Sequence, residues 1–311
     1  MRIVLFGTSA FAVPSLQVLV KRGHTIVQCV TQPDRPQGRG LKPQASPVKQ
    51  AAQALRLPLT EPTDLRTTQQ ELRALNPDVG VVIAYGRLVP SDLLQLPTQG
   101  MVGLHPSLLP KYRGASPIVW ALLNGDSRTG VTVFRLNERM DAGDILTQQP
   151  VSIGPQETAE VLSVRLAAMG AGLLADSLQA LEQGTASFQP QNDAAATYTT
   201  KLTKAHGLVD WTASAAAIDR MVRALNPWPG VTTSLHGRSL RVWSTALASQ
   251  PVLASAHPGT VIQLEDAGAV VATGQGALVI QDVQPAGRRR MSVREFLAGH
   301  VLRVGDQFDH A

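Results

Sequence analysis

Four consecutive apolar residues, Ile3-Val4-Leu5-Phe6, open the chain and stop at Gly7. Leu16, Leu19 and Val20 then recur at helical spacing, and Gly23 stands where a helix C-cap would fall. His24 to Thr31 is a second run of strand character. A buried strand, a helix and another buried strand within the first 31 residues require a right-handed crossover and a parallel sheet. Val79 to Ala84 and Met101 to Leu104 repeat the apolar run, the latter ending at His105. The expected fold class is α/β, a doubly wound and mostly parallel sheet, with these runs as its core.

In such sheets ligands bind beyond the carboxyl ends of the strands. Gly7-Thr8-Ser9 lacks the second and third glycines of a dinucleotide fingerprint, which excludes a nicotinamide site there. Two other strand ends are candidates, Tyr85-Gly86-Arg87-Leu88 and the stretch from Leu104 to Pro110. Pro106 forces His105 into an extended or turn conformation, and Pro110 and Pro117 stiffen the loop beyond it. An imidazole at a strand end, on a rigid loop, suits proton chemistry near neutral pH, although a hydrogen-bonded surface His would read the same way. Further on, Asp141-Ala142-Gly143-Asp144 reads as a tight turn. A calcium loop does not fit, because the remaining ligand positions are absent. No Cys/His spacing suggests a metal site.

The 311 residues suggest two domains. A formal charge of +5 hints at an anionic partner. The single cysteine, Cys29, rules out an internal disulfide and fits a reducing compartment. No signal peptide precedes Ile3, and no apolar run is long enough to suggest a membrane span, so a cytoplasmic protein without a membrane partner is expected; no protein partner is inferred.

Residues 32–46 form a long connection rich in Pro and Gly, with Arg35, Arg39 and Lys42 set against Asp34. It is either a solvated excursion or a basic finger for phosphates. Thr158 to Leu181 reads as one long helix containing the small residues Ala168, Gly170 and Ala171. Residues 186–205 read as a linker between a domain at 1–185 and another at 206–311. Lys201 and Lys204 lie in that linker, and Trp211 and Trp228 after it are expected in a core. After Gly230 the pattern changes to short strands at 231–236, 239–246, 259–264, 269–273 and 277–284, which suggests a small barrel. Arg288-Arg289-Arg290 is a basic run beside the last strands, and Ser292 with Glu295 forms a capping box for a terminal helix.

His105-Pro106-Ser107-Leu108-Leu109-Pro110, then Tyr112-Arg113-Gly114-Ala115-Ser116-Pro117, resembles the signature of the folate-dependent formyltransferases. Asp141-Ala142-Gly143-Asp144-Ile145-Leu146 resembles their second signature. The resemblance spans nearly the whole chain and is greatest to the members that act on initiator tRNA. It implies a Rossmann-like first domain, an OB-like barrel at the C-terminus, and 10-formyltetrahydrofolate as co-substrate without a metal. The implied reaction formylates the amino group of methionine on initiator methionyl-tRNA. It also implies His105 and Asp141 as catalytic groups. Ser107, Leu108, Leu109 and Pro110, with Tyr85, Gly86, Arg87 and Leu88, would bound the folate. Arg35, Arg39 and Lys42 would grip the acceptor end of the tRNA, and Lys201, Lys204 and Arg288 to Arg290 would contact it elsewhere.

One departure stands inside the signature. Where the family carries a catalytic Asn, this chain has Gly103. Side chains repeat with period two along a strand, so an Asn there would share a side with His105 and aim an amide at the same oxygen. Restoring it is therefore expected to raise turnover. Two alternatives stand beside the main reading: formylation of an amino sugar nucleotide, or a folate- or RNA-binding variant impaired by Gly103.

Overall fold

The computed structural model describes residues 1–37, 42–248 and 256–309. The chain divides into two units. One comprises Met1–Pro117, Arg128–Ile153 and Leu162–Thr199; the other comprises Ile118–Ser127, Gly154–Val161 and Thr200–Ala311.

The first unit begins with β1 (Arg2–Gly7), α1 (Val13–Lys21) and β2 (Thr25–Val30). A short ribbon of β3 (Arg35–Gln37) and β4 (Lys42–Gln44) precedes α2 (Pro47–Ala54) and β5 (Leu59–Thr60). Next come α3 (Gln69–Ala74), β6 (Val79–Ile83), α4 (Ser91–Leu94), β7 (Met101–His105) and β8 (Arg113–Gly114). After α5 (Pro117–Leu123) the sheet resumes with β9 (Arg128–Arg135) and β10 (Ile145–Ser152), followed by α6 (Ala159–Glu182) and β11 (Tyr198–Thr199). The main sheet has the order β10-β9-β7-β6-β1-β2-β5. β1 pairs in parallel with β2 and β6, and β6 with β7; β9 is antiparallel to both β7 and β10. Along β1, Ile3 and Leu5 alternate with Val4 and Phe6, and none exceeds 1% exposure. Burial on both faces is what a parallel strand needs, and it explains the unbroken apolar run.

β10 gave no strand signal. Its residues Ile-Leu-Thr-Gln-Gln-Pro-Val-Ser do not alternate, and none of them is fully buried. It is an edge strand, where Pro150 omits a ladder donor at little cost.

α6 is long and apolar enough to span a membrane by length and composition, which corrects the expectation that no segment is. Half of its most apolar stretch is buried, with Leu162, Leu166, Leu174 and Leu178 fully enclosed. Gly170 lets the helix approach the sheet: a Cβ there would lie 2.7 Å from Leu104 Cδ2 on β7. Parts of the expected linker are also structured. Residues 193–195 form a 3₁₀ turn, and β11 pairs in parallel with β8.

In the second unit α7 (Ala215–Leu225) precedes β12 (Val231–Leu235), β13 (Arg238–Leu247), β14 (Val261–Glu265), β15 (Gly268–Ala272) and β16 (Ala277–Pro285). β17 (Met291–Ser292), α8 (Val293–Leu297) and β18 (Phe308–Asp309) complete it. The five strands expected from the sequence are all present. They form a curled antiparallel sheet of OB-like type, ordered β14-β15-β16-β13-β12-β18. Register shifts between β13 and β16 around Ser244 supply bends of the kind such curvature needs. α8 opens on the expected capping box, Ser292 Oγ accepting from the Glu295 N–H and the Glu295 carboxylate accepting from the Ser292 N–H. Trp211 is buried, donates to Thr233 Oγ1 at 3.0 Å and stacks on Phe308. Trp228 is not in the core: flanked by Pro227 and Pro229 after α7, it is 58% exposed.

The α6–β7 contact makes a prediction. A branched side chain at Gly170 must displace the buried Leu104, so Gly170→Val is expected to lower unfolding free energy by about 1–3 kcal/mol. Urea denaturation measures it, and an unchanged midpoint would show that the helix does not pack as described.

Candidate active site

β7 delivers His105 at its last position, buried and facing the same side as Gly103. The turn between β9 and β10 carries Asp141, whose Oδ2 lies 3.7 Å from His105 Nδ1. The same oxygen accepts a 2.8 Å hydrogen bond from the Gly114 N–H. His105 Nε2 is 2.8 Å from the Tyr112 carbonyl oxygen. A carbonyl can only accept, so Nε2 carries a hydrogen and Nδ1 is the nitrogen that faces Asp141. The ring can take up one proton, at Nδ1, beside a carboxylate. The two groups expected as a pair are therefore together.

Gly103 is covered by an aromatic ring. It pairs with Phe134 across the β7–β9 ladder, and a Cβ on it would lie 2.6 Å from Phe134 Cε1 and 2.8 Å from Leu136 Cδ1. Phe134 is buried and meets the His105 ring edge to face at 6.5 Å between centroids. The space an Asn side chain would need next to His105 is filled, so restoring Asn does not simply add a donor.

The loop after His105 is anchored by residues that the sequence did not single out. Thr132, opposite His105 on β9, donates to the Ser107 carbonyl at 2.6 Å and accepts from the Leu109 N–H at 3.2 Å. Gln148 on β10 donates to the Leu109 carbonyl at 2.8 Å and to Thr132 Oγ1 at 2.9 Å. Ser107 turns its hydroxyl inward, to the Lys111 carbonyl. Ser107 and Leu109 are buried, while Leu108 and Pro110 are half-buried. Thr132 lies in an alternating strand and carried no signal beyond its type; Gln148 lies in the strand that the sequence concealed.

At the other strand end Tyr85 turns its ring into the core, edge-on to Phe6. Burial holds its phenol above the ordinary tyrosine range. Its carbonyl accepts from Thr8 Oγ1 and Gln32 Nε2. Gly86 and Leu88 are exposed, and Arg87 donates to the Pro62 and Thr63 carbonyls. Any lining of a pocket here therefore comes from backbone at 85–87 and the Leu88 side chain, rather than from the Tyr85 ring.

Of the basic residues in 32–46, Arg39 lies outside the described residues, and Arg35 and Lys42 are placed by their backbone in the β3–β4 ribbon. Lys49 ties the ribbon's base to α2, with Asp34 at 2.9 Å and Glu61 at 2.7 Å. Hydrogen bonds to Glu61 and Asp34 hold its ammonium above the usual lysine range. In the second unit Lys201, Lys204 and Arg288 to Arg290 are exposed. Arg289 pairs with Glu295 and Arg290 with Asp282, so part of that basic run is already compensated. Cys29 is buried in β2, its thiol pushed up to about 12 by burial, which leaves it protonated at neutral pH. Among the described residues no group of three or more His, Cys, Asp or Glu is placed to hold a metal.

A His–Asp pair beside the strand end of a doubly wound sheet, in a chain that continues into an OB-like sheet, is an arrangement suited to group transfer assisted by proton movement. Residues 1–178 match the formyl transferase domain and residues 201–301 the formyl transferase C-terminal domain, and the chain belongs to this family. The methionyl-tRNA formyltransferase of Solibacter usitatus is 44% identical over 99% of this chain and 98% of its own. That of Desulforamulus reducens is 41% identical over 98% and 96%. Among solved structures, the sugar 3N-formyl transferase WlaRD, in the presence of dTDP and 5-N-formyl-THF, superposes with a TM-score of 0.68. It is 16% identical, over 93% of this chain and 99% of its own. HypX from Aquifex aeolicus in complex with tetrahydrofolic acid superposes with a TM-score of 0.66 at 18% identity over 98% of this chain, which spans about half of that protein's length.

The Gly103–Phe134 contact gives a prediction of unusual sign. Gly103→Asn alone is expected to destabilise the fold by about 1–3 kcal/mol, because the new side chain meets a buried ring. Phe134→Ala alone is expected to cost about 3–5 kcal/mol. Combined, the two should be more stable than their sum, since each relieves the other's defect. A double-mutant cycle by urea denaturation measures the coupling; simple additivity would show that the residues do not share that space.

Proposed function

We propose that this protein transfers the formyl group of 10-formyltetrahydrofolate to the amino group of methionine on initiator methionyl-tRNA, in the cytoplasm. The observation that carries the reading is 44% identity to a methionyl-tRNA formyltransferase along 99% of the chain, through both domains. Residues 1–185 would form the catalytic domain, 186–205 the connection and 206–311 the tRNA-binding barrel. In this reading the amine nitrogen bonds to the formyl carbon, whose carbonyl oxygen takes on negative charge. The bond from that carbon to the folate N10 then breaks. His105 Nδ1 accepts the proton that the amine loses and returns one to the departing nitrogen, and Asp141 stabilises the imidazolium between those steps. The loop of Ser107, Leu108, Leu109 and Pro110, held by Thr132 and Gln148, bounds the folate together with Gly86, Leu88 and the backbone of Tyr85 and Arg87. Arg35, Arg39 and Lys42 contact the acceptor end; Lys201, Lys204, Arg288, Arg289 and Arg290 contact phosphates elsewhere.

The test is formylation of charged initiator tRNA, run beside a dTDP-amino sugar. Turnover of the tRNA alone is expected. Turnover of the sugar alone would assign the chain to the other branch of its family, and folate binding without either reaction would mark it as an impaired variant. His105→Ala is expected to lower kcat by about 10²–10⁴-fold, while the lost bond to the buried Tyr112 carbonyl costs about 1–3 kcal/mol of stability. A kcat near wild type in the folded variant would remove His105 from the chemistry.

The basic connection at 32–46 makes its own prediction. Arg39→Ala is expected to weaken tRNA binding, leave folate affinity unchanged and reduce the slope of log affinity against log salt by about 0.7–0.9, the release expected from one phosphate contact. Filter binding at several salt concentrations reads both, and an equal loss of folate affinity would rule the contact out.

A further inference from the structure

Asp141 is held in a conformation that a non-glycine residue adopts reluctantly, with φ at +50°. Such geometry persists only where its surroundings over-determine it. Its surroundings here reach across from residues 188–199. The Gln191 side-chain amide donates to the Asp141 carbonyl at 2.9 Å and to the Gly143 carbonyl at 2.7 Å. Its oxygen accepts from Arg113 Nε at 3.1 Å and Nη2 at 2.8 Å. An amide nitrogen has two hydrogens and its oxygen two lone pairs, so every position on this side chain is used.

Arg113 fixes which way that amide points. Its guanidinium is 1% exposed and offers only donors, so the Gln191 oxygen must turn toward it and the NH₂ toward the turn. Asp193 at 2.7 Å and the Tyr198 hydroxyl at 3.2 Å hold the guanidinium from the other side. The backbone completes the arrangement. Arg113 N–H donates to the Thr197 carbonyl, and the next N–H, of Gly114, donates to the Asp141 carboxylate. Just before Gln191, Gln189 exchanges two 2.8 Å backbone hydrogen bonds with Ile145, on the far side of the turn.

We infer that Gln191, keyed by Arg113, is a positioning residue that fixes the Asp141 turn so that its carboxylate stays beside His105 Nδ1. The inference rests on the proton-transfer role proposed for that pair. Neither residue reaches Nδ1 itself; both act through the backbone that carries Asp141.

The test uses Gln191→Leu and Gln191→Glu in the full chain, assayed for formyl transfer to charged initiator tRNA. The Glu side chain keeps acceptors for Arg113 but offers the two carbonyls no donor, so it separates holding Arg113 from holding Asp141. Both variants are expected to lower kcat, by about a hundredfold for a displacement near 1 Å. KM for folate and tRNA should stay near wild type, and the pH profile of kcat should shift. In an Asp141→Asn background Gln191→Leu is expected to cost no further rate. Wild-type kcat in both folded Gln191 variants, or the same loss in both backgrounds, would overturn the clamp. If Asp141→Asn loses rate while the Gln191 variants do not, the clamp alone fails. If Asp141→Asn keeps full rate, the proton-transfer reading fails and takes the clamp with it.

Discussion

The antiparallel register of β9 on β7 is the constraint on which the site depends. Leu104 pairs with Val133, which places Thr132 opposite His105 and Phe134 opposite Gly103. From Thr132 the loop after His105 gains its anchor; from Phe134 the imidazole gains the aromatic edge beside it. The chain leaving β9 then turns back past the same residues, with Leu136 close to Gly103 and Asp141 close to His105. A slip of one residue would turn every side chain of β9 to the opposite face and remove the anchor and the ring together. The sheet is parallel where it is buried centrally, but the strand that builds the site runs the other way.

Much of the scaffold could be read from the chain because its signals are local. Unbroken apolar runs marked β1, β6 and β7, a run of strand character marked β2, and glycine-punctuated short runs marked the five barrel strands. His105 and Asp141 could be named because each lies in a motif. What stayed hidden depends on contact between distant segments. Thr132, Phe134, Gln148 and Gln191 are ordinary residue types, and only register and turn geometry bring them to the site. The same holds for residues 186–199: their polar, irregular composition reads as a linker, yet Gln191, Asp193 and Tyr198 are bound to a buried arginine. Polarity there signals exposure correctly, since Asp193 and Tyr198 are exposed, but it says nothing of the anchor, because Arg113 sits in sequence far from the residues that satisfy it.

Net charge proved a poor guide to where charge is free. The +5 balance suggests an anionic partner, but Arg289 and Arg290 already face carboxylates, and Arg113 is sealed inside the first unit. Lys49 is engaged by two acids at the base of the β3–β4 ribbon. Its ion pairs serve to brace the segment that carries Arg35 and Lys42, while leaving its own charge compensated. A phosphate-binding reading of this protein rests on individual positions rather than on the total.

Gly103 shows how a departure from a signature can be locally consistent. Glycine weakens a strand interior, because it packs nothing and gains conformational freedom in the unfolded chain. Here the loss is offset across the ladder, since the Phe134 ring occupies the volume above the glycine. The exchange removes a side-chain donor from the face of β7 that carries the imidazole. Because His105 Nε2–H is committed to the Tyr112 carbonyl, the ring itself can donate to a developing oxyanion only from Nδ1, and only after that nitrogen has gained a proton. Under the proposed chemistry, proton removal from the amine and stabilisation of the oxyanion then fall to the same atom. Asp141, the carboxylate beside Nδ1, becomes correspondingly more important than it would be beside a permanent amide donor.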